Sequence, residues 1–152
     1  MSGRKRYNVL GAINAITYDL CCVLNETYIN ALSVCDLLAQ IKDRVKDDFP
    51  VTVVLDNAKY QRCKHVLQCA EILNIELLFL PSYSPNLNLI ERYWKWLRKD
   101  CLSSVYYTTF DKFKEAIDSS LLKTINHANK TELQSLLNLK FQLYDNSIYD
   151  RA

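Results

Sequence analysis

Short apolar runs alternate with amphipathic stretches along the chain. The stretch YNVLGAINAIT (residues 7–17) and the following run LCCVLNE predict an antiparallel hairpin. Apolar residues then recur at intervals of three and four from Ile29 to Val45, which predicts an amphipathic helix that ends before Pro50. The continuous apolar run VTVVLD is typical of a strand that is covered on both faces of its sheet.

The same alternation continues after VTVVLD. A helix is expected over about 59–73, then the buried strand ELLFL, which ends at Pro81, and then a helix over about 87–102. Further helical patterns cover 109–125 and 131–139. Because strands that alternate with crossover helices pair in parallel, the order of elements predicts an α/β layer structure.

Composition limits the class of protein. The chain has 152 residues, of which 49% are hydrophobic and 24% charged, as expected for one globular domain. It contains no apolar run long enough for a membrane helix, and MSGRKRYNVL does not have the pattern of a secretory signal. A net charge of +2 is too small to indicate nucleic-acid binding, although basic residues cluster at 4–6 and 92–99.

The cysteines and glycines exclude several kinds of site. None of the six cysteines forms a C-x-x-C pair, and His65 and His127 are the only histidines. We therefore expect reduced thiols in a cytoplasmic protein, no zinc site, and a surface or packing role for His65. Gly3 and Gly11 are the only glycines, so there is no Gly-rich phosphate loop of a nucleotide-binding domain.

Two acidic residues are the main candidates for chemistry. Asp56 ends VTVVLD, and Glu91 follows 34 intervening residues later, near the start of the 87–102 helix. The carboxyl ends of strands in open α/β sheets face a crevice, so the two carboxylates are expected to meet there and hold a divalent metal. Considered alone, Asp56 is equally well explained as a turn residue or a helix cap. Glu91 alone is equally well explained as an ordinary acidic residue in the first turn of a helix.

The segment around Glu91 adds further candidates. Asn86 or Asn88 is positioned to cap the helix, and Ile90, Trp94, Leu97 and Cys101 form a stripe expected to pack inward. Glu91, Lys95 and Arg98 share an adjacent face, where they form either a simple Glu–Lys pair or part of a functional surface.

The runs VVLDNAKYQRCKHV and IELLFLPSYSPNLNLIERYWKWLRK strongly resemble the catalytic domain of DDE-type transposases of the mariner-like insertion-sequence group. The resemblance covers about residues 2–123. It implies a three-layer ribonuclease H-like α/β fold, with Asp56 and Glu91 as catalytic ligands of Mg²⁺ or Mn²⁺. It also implies DNA, at transposon ends, as the substrate. Lys95, Arg98 and Lys99 would then contact the DNA backbone. Asn57 in LDNA and Asn88 belong to the same motifs, and Tyr83 either contacts DNA or anchors its loop.

One expected part of the family pattern is not found in the sequence. The resemblance places a first catalytic Asp on a central strand upstream of SGRKRYNVLGA, and neither Asp19 nor Asp36 is well placed to replace it. We therefore expect residues 1–125 to form a partial catalytic domain without its central strand, followed by a helical extension and tail over 126–152. The chain is then either a decayed element or the product of the second frame of a frameshifted gene. We expect it to be inactive alone, with an upstream transposase fragment or a second copy of the chain as its partner. The alternative is a non-catalytic remnant that binds DNA or the full-length transposase.

Overall fold

The computed structural model describes residues 4–46, 48–82, 84 and 87–138. Within these residues the chain forms four strands and five helices. In chain order they are β1 (Asn8–Ile13), β2 (Leu20–Asn25), α1 (Ala31–Asp43), β3 (Val51–Leu55), α2 (Lys64–Ile72), β4 (Ile75–Phe79), α3 (Leu89–Cys101), α4 (Phe110–Ile125) and α5 (Lys130–Leu136). The predicted order of strands and helices is confirmed. The second helix was predicted too long, because it begins at Lys64 rather than near Lys59.

The described strands form two separate two-stranded sheets. β1 pairs with β2 antiparallel, as the hairpin pattern predicts, with Asn8 opposite Asn25 and Ile13 opposite Leu20. β3 pairs with β4 in parallel, from Val51 opposite Ile75 to Leu55 opposite Phe79. Among the described residues, β1 and β3 therefore each have one neighbouring strand and one open edge.

One hydrophobic cluster joins the two sheets through the first two helices. Its buried members are Val34 and Leu38 of α1, Val66 and Ala70 of α2, and Ile75 of β4. Leu10 of β1 and Val51 and Val53 of β3 pack against this cluster. Both sheets are thus fixed to the same pair of helices.

The prediction that β3 is covered on both faces is wrong for the described part of the chain. Exposure alternates along β3 and β4, so that Val53 and Leu77 contact the cluster while Val54 and Leu78 are exposed. A continuous apolar run shows that a strand is hydrophobic on both faces, but whether each face is covered depends on distant elements.

A second cluster surrounds α3. It contains Tyr93, Trp96, Leu97 and Cys101 of α3, Ile117 and Leu121 of α4, and Leu133 and Leu137 at α5. Tyr93 and Trp96 are buried, whereas Ile90 and Trp94 pack against the cluster from its edge. The predicted inward stripe is therefore confirmed for the buried Leu97 and Cys101 and for Ile90 and Trp94, which pack against the cluster, but it omitted Tyr93 and Trp96.

Residues on both sides of position 125 share the α3 cluster, since Leu121 and Leu133 are both among its buried members. The division of the chain into 1–125 and 126–152 stays a prediction, and residues 139–152 lie outside the described part. In the described part of the chain, no helix combines the length and apolar character needed to cross a membrane.

Candidate metal centre and its surroundings

Asp56 lies directly after β3, at the carboxyl end of the parallel β3–β4 pair. The pairing continues one step further at this end, because the Leu80 amide donates to the Leu55 carbonyl at 2.8 Å. The Asp56 side chain is half-buried at this sheet end. This is the place where parallel α/β sheets present side chains to a crevice.

Asn88 connects Asp56 to the start of α3. Its side-chain Nδ2 donates to Asp56 Oδ1 at 3.1 Å, and its Oδ1 accepts from the Ile90 amide at 3.3 Å. Asn88 is the N-cap of α3 and is only 7% exposed. A single buried amide therefore satisfies an unpaired helix N–H and fixes one carboxylate oxygen.

Glu91 lies in the first turn of α3, and its amide donates to the Asn88 carbonyl at 3.1 Å. The residue is half-buried, and the position favours an anionic side chain because of the partial positive charge of the helix N-terminus. Glu91 and Asp56 are thus carried by two elements that Asn88 holds together.

The donor chemistry at this end of the sheet fits a hard divalent cation. Among the described contacts, Asp56 uses Oδ1 only, and neither Asp56 nor Glu91 forms an ion pair. Carboxylate oxygens that are not neutralised by a basic side chain are the ligands that Mg²⁺ and Mn²⁺ prefer.

Asn57 has a local structural partner. Its Oδ1 accepts from Arg62 Nη1 at 2.6 Å, and the Arg62 guanidinium lies 5.5 Å from the centre of the Phe79 ring. This pair of contacts ties the loop after β3 to the end of β4. Arg62 was not among the residues predicted from the sequence, where its only signal is a place in the loop four residues after the LDNA motif.

The three predicted DNA-contacting cations lie on the solvent side of α3. Lys95, Arg98 and Lys99 are exposed, whereas Tyr93 and Leu97 face the core. Lys95 and Arg98 follow Glu91 by four and seven residues, so they share its helix face. Arg98 also borders a surface depression of about 270 Å³ with Tyr7 and Trp94 in its wall. Tyr83 lies outside the described residues.

Comparison with known proteins identifies relatives of the chain. The family profile described as DDE superfamily endonuclease matches residues 2–114, a range that includes Asp56 and Glu91. The uncharacterised protein y4pE/y4sA of Sinorhizobium fredii is 35% identical over 75 residues, which are 49% of this chain and 53% of that protein. The match thus spans about half the length of this curated relative.

Solved structures support the fold. A structure of the Mos1 transposase catalytic domain with raltegravir and Mg matches with a TM-score of 0.52 and 16% identity, covering 80% of this chain and 77% of that one. A crystal structure of the catalytic domain of Mos1 mariner transposase gives the same TM-score and identity, covering 88% and 81%. At this identity the likeness concerns the fold, and the predicted ribonuclease H-like fold is confirmed.

Proposed function

The chain belongs to the DDE superfamily of endonucleases, and from this membership we propose that it is a transposase catalytic domain that cleaves and joins DNA at transposon ends. The observation that carries the proposal is the Asn88 bridge, because one amide joins the Asp56 strand end to the helix that carries Glu91. The family match includes all three residues.

Asp56 and Glu91 would hold Mg²⁺ or Mn²⁺ through their carboxylate oxygens. Such ions, when bound, activate the attacking oxygen and stabilise the leaving oxygen at phosphorus. Asn88 acts as a positioning residue, because its Nδ2 holds Asp56 Oδ1 in place. Glu91 lies in the first turn of α3, where the partial positive charge of the helix N-terminus attracts a carboxylate.

Mn²⁺ binding tests the metal assignment independently of DNA cleavage. In the 152-residue chain, Asp56→Asn and Glu91→Gln should each weaken Mn²⁺ binding measured by electron paramagnetic resonance. Glu71→Gln is the matched control, since Glu71 is an exposed acid on α2. Equal Mn²⁺ affinity in all variants would show that the two carboxylates do not form the site.

We assign DNA-backbone contact to Lys95, Arg98 and Lys99, which are exposed on α3; Lys95 and Arg98 share the helix face of Glu91, and Lys99 lies beside it. Neutralising one phosphate-contacting cation should reduce the slope of log affinity against log salt by about one. Lys95→Ala, Arg98→Ala and Lys99→Ala are therefore expected to lower this slope, whereas the exposed Lys130→Ala on α5 should leave it unchanged. An unchanged slope in all four variants contradicts the assignment.

We further propose that an extended segment of the transposase polypeptide inserts between the open edges of β1 and β3. This segment would carry the first catalytic Asp of the family, which adds a third carboxylate to Asp56 and Glu91. Support comes from the two separate sheets and from their packing on one common cluster of α1 and α2. Strand edges present rows of unpaired N–H and C=O groups, which an inserted strand would satisfy. A second copy of the chain is the alternative occupant.

The incomplete pairing leads to a sharp activity test. The chain alone, with Mn²⁺ and transposon-end duplexes, should not nick DNA, whereas co-expression with a polypeptide that carries an apolar strand with an Asp should restore nicking. The control is the same polypeptide with Asn in place of its Asp. It should still bind to the chain but should not restore nicking. Nicking by the chain alone that survives Asp56→Asn would refute the proposed catalytic centre.

The open edges also favour a second candidate function, a non-catalytic transposase remnant that binds DNA or a full-length transposase. That function predicts DNA binding without nicking even when the strand-bearing polypeptide is present. For either function we propose a cytoplasmic location, which accords with six cysteines that are all free thiols.

A further inference from the structure

Three side chains that are far apart in sequence meet at the solvent edge of the α1–α2 interface. Cys35 comes from α1, and His65 and Cys69 come from α2. Their sulfur atoms and an imidazole nitrogen all lie within 4.8 Å of one another. The spacing of cysteines along the chain predicts no zinc site, because it shows no C-x-x-C pair, and only the packing of the two helices brings these groups together.

The core fixes the positions of the three residues. Val34, next to Cys35, is 2% exposed, and Val66 and Ala70, which follow His65 and Cys69, are 0% and 2% exposed. His65 and Cys69 lie one helical turn apart, so they project from the same face of α2. Cys35 Sγ also lies 4.0 Å from the His65 carbonyl oxygen, which places the α1 thiol directly against this turn.

We propose that Cys35, His65 and Cys69 form a binding site for Zn²⁺, with solvent in the fourth coordination position. Tetrahedral zinc has Zn–S distances of about 2.3 Å and Zn–N distances of about 2.0–2.1 Å, so its ligand atoms lie roughly 3.5–3.8 Å apart. Binding of the ion would contract the cluster, whose ligand atoms lie within 4.8 Å of one another, to that size. The exposed His65 ring and the half-buried thiols leave a path for the ion from solvent.

The ligand types separate this site from the Asp56–Glu91 centre. Thiolate and imidazole select zinc and similar cations, whereas carboxylates select Mg²⁺ and Mn²⁺. On binding, Cys35 and Cys69 each lose a proton to solvent, and the ion then links α1 to α2. The ion would thus bridge the two helices, and the proposal does not depend on the proposed transposase function.

Cobalt substitution tests the proposal directly. The reduced 152-residue chain should bind one Co²⁺ with thiolate-to-metal charge-transfer absorption and the visible bands of a tetrahedral ion. Zn²⁺ should displace the Co²⁺, whereas Mg²⁺ should not. Loss of an outer-shell partner already weakens metal sites about 10- to 100-fold, so Cys35→Ser, His65→Ala and Cys69→Ser should each weaken binding by roughly 100-fold.

Matched controls keep the result specific to the three residues. Cys63→Ser and His127→Ala should leave Co²⁺ binding unchanged, because the Cys63 thiol donates to the Tyr60 carbonyl and His127 pairs with Asp19. The double variant Asp56→Asn/Glu91→Gln should also keep the charge-transfer band. His65 is exposed, so His65→Ala should keep its fold, as checked by circular dichroism.

Three results would overturn the proposal. The first is the absence of charge-transfer absorption with Co²⁺ in the reduced chain. The second is Co²⁺ binding that is unchanged in both His65→Ala and Cys35→Ser, or Co²⁺ binding that is lost in the control Cys63→Ser. The third is formation of a Cys35–Cys69 disulfide under oxidant while the reduced chain takes up no metal.

Discussion

Asn88 has two contacts that belong to different parts of the molecule. Its carbonyl oxygen caps α3 through the Ile90 amide, and its amide nitrogen holds Asp56. A carboxylate at a strand end has many rotamers open to it, and a hydrogen bond from a buried partner restricts them. The residue therefore supports both the stability of α3 and the orientation of the candidate metal ligand.

Substitutions of Asn88 should separate these two contributions. Asn88→Ala removes both contacts and should lower the free energy of unfolding by about 1–2 kcal/mol, measured by urea denaturation. Asn88→Ser keeps a capping oxygen but cannot reach Asp56, so its stability should fall between the wild type and Asn88→Ala. A value for Asn88→Ser equal to that of Asn88→Ala would mean that the cap contributes nothing.

Protonation of Asp100 should change the free energy of unfolding of the protein. Its carboxylate accepts from Ser120 Oγ at 2.6 Å and from Lys123 Nζ at 3.0 Å. Desolvation acts to raise the pKa of Asp100, but the hydrogen bonds from Ser120 and Lys123 and the charge of Lys123 outweigh it and lower the pKa below 3.8. The folded state thus favours the charged form.

The sign of the pH dependence follows from that lowered pKa. Asp100 contributes stability above its unfolded value of 3.8, and this contribution is lost as the pH falls through the folded pKa. Asp100→Asn should therefore be less stable than the wild type at pH 7, with a difference that shrinks below about pH 4 in urea denaturation series. An equal difference between Asp100→Asn and the wild type at pH 7 and at pH 3 would show that the charge of Asp100 does not stabilise the fold.

At the scale of elements, α3 is the part that connects the core to the candidate site. Tyr93, Trp96 and Leu97 face the hydrophobic cluster, whereas Lys95, Arg98 and Lys99 face solvent. The position of β1 against α3 depends on Gly11. A Cβ added at Gly11 would lie 2.8 Å from the Trp94 ring atom Cη2, which is closer than side-chain packing tolerates.

Gly11→Ala should destabilise the protein because the Trp94 ring must move to accommodate the new methyl group. We expect a loss of about 1–3 kcal/mol, measured by urea denaturation. The shorter ring of Trp94→Phe leaves room for that methyl group, so Gly11→Ala should cost less in this background. If Gly11→Ala lowered the free energy of unfolding equally in the wild type and in Trp94→Phe, contact with the Trp94 ring would not be the reason that position 11 requires glycine.

At the scale of the whole molecule, the described strands form two separate sheets. β1 and β3 pack on the same helices yet, among the described residues, each has one paired edge. An unpaired edge leaves backbone N–H groups to exchange with solvent, and a strand inserted between the sheets would pair two edges at once.

Hydrogen exchange followed by NMR should report that insertion. In the chain alone, the amides on the open edges of β1 and β3 should exchange much faster than those inside α3. Addition of the strand-bearing polypeptide should slow exchange on β1 and β3, while the outer edges of β2 and β4 serve as controls and should stay unprotected. Protection on β2 or β4 instead would place the partner at the outside of a sheet.

Periodicity alone determined the order of the elements, the hairpin and the parallel pair, because the side-chain periods of helices and strands are local properties of the sequence. The motifs around Asp56 and Glu91 led directly to the family, which the profile match confirms. The start of α2, the buried ring of Tyr93 and the exposed outer face of β3 could not be predicted in this way. Each depends on which distant residue packs against it.

The sequence by itself therefore determined the family, the α/β order and the candidate carboxylates Asp56 and Glu91. Only the tertiary structure decided that Asn88 joins the Asp56 strand end to α3, and that Cys35 meets His65 and Cys69. The physical reason is the range of the interactions. Backbone conformation and helical spacing act over a few residues, whereas a hydrogen bond across 32 positions or a cluster between two helices exists only after the chain has packed.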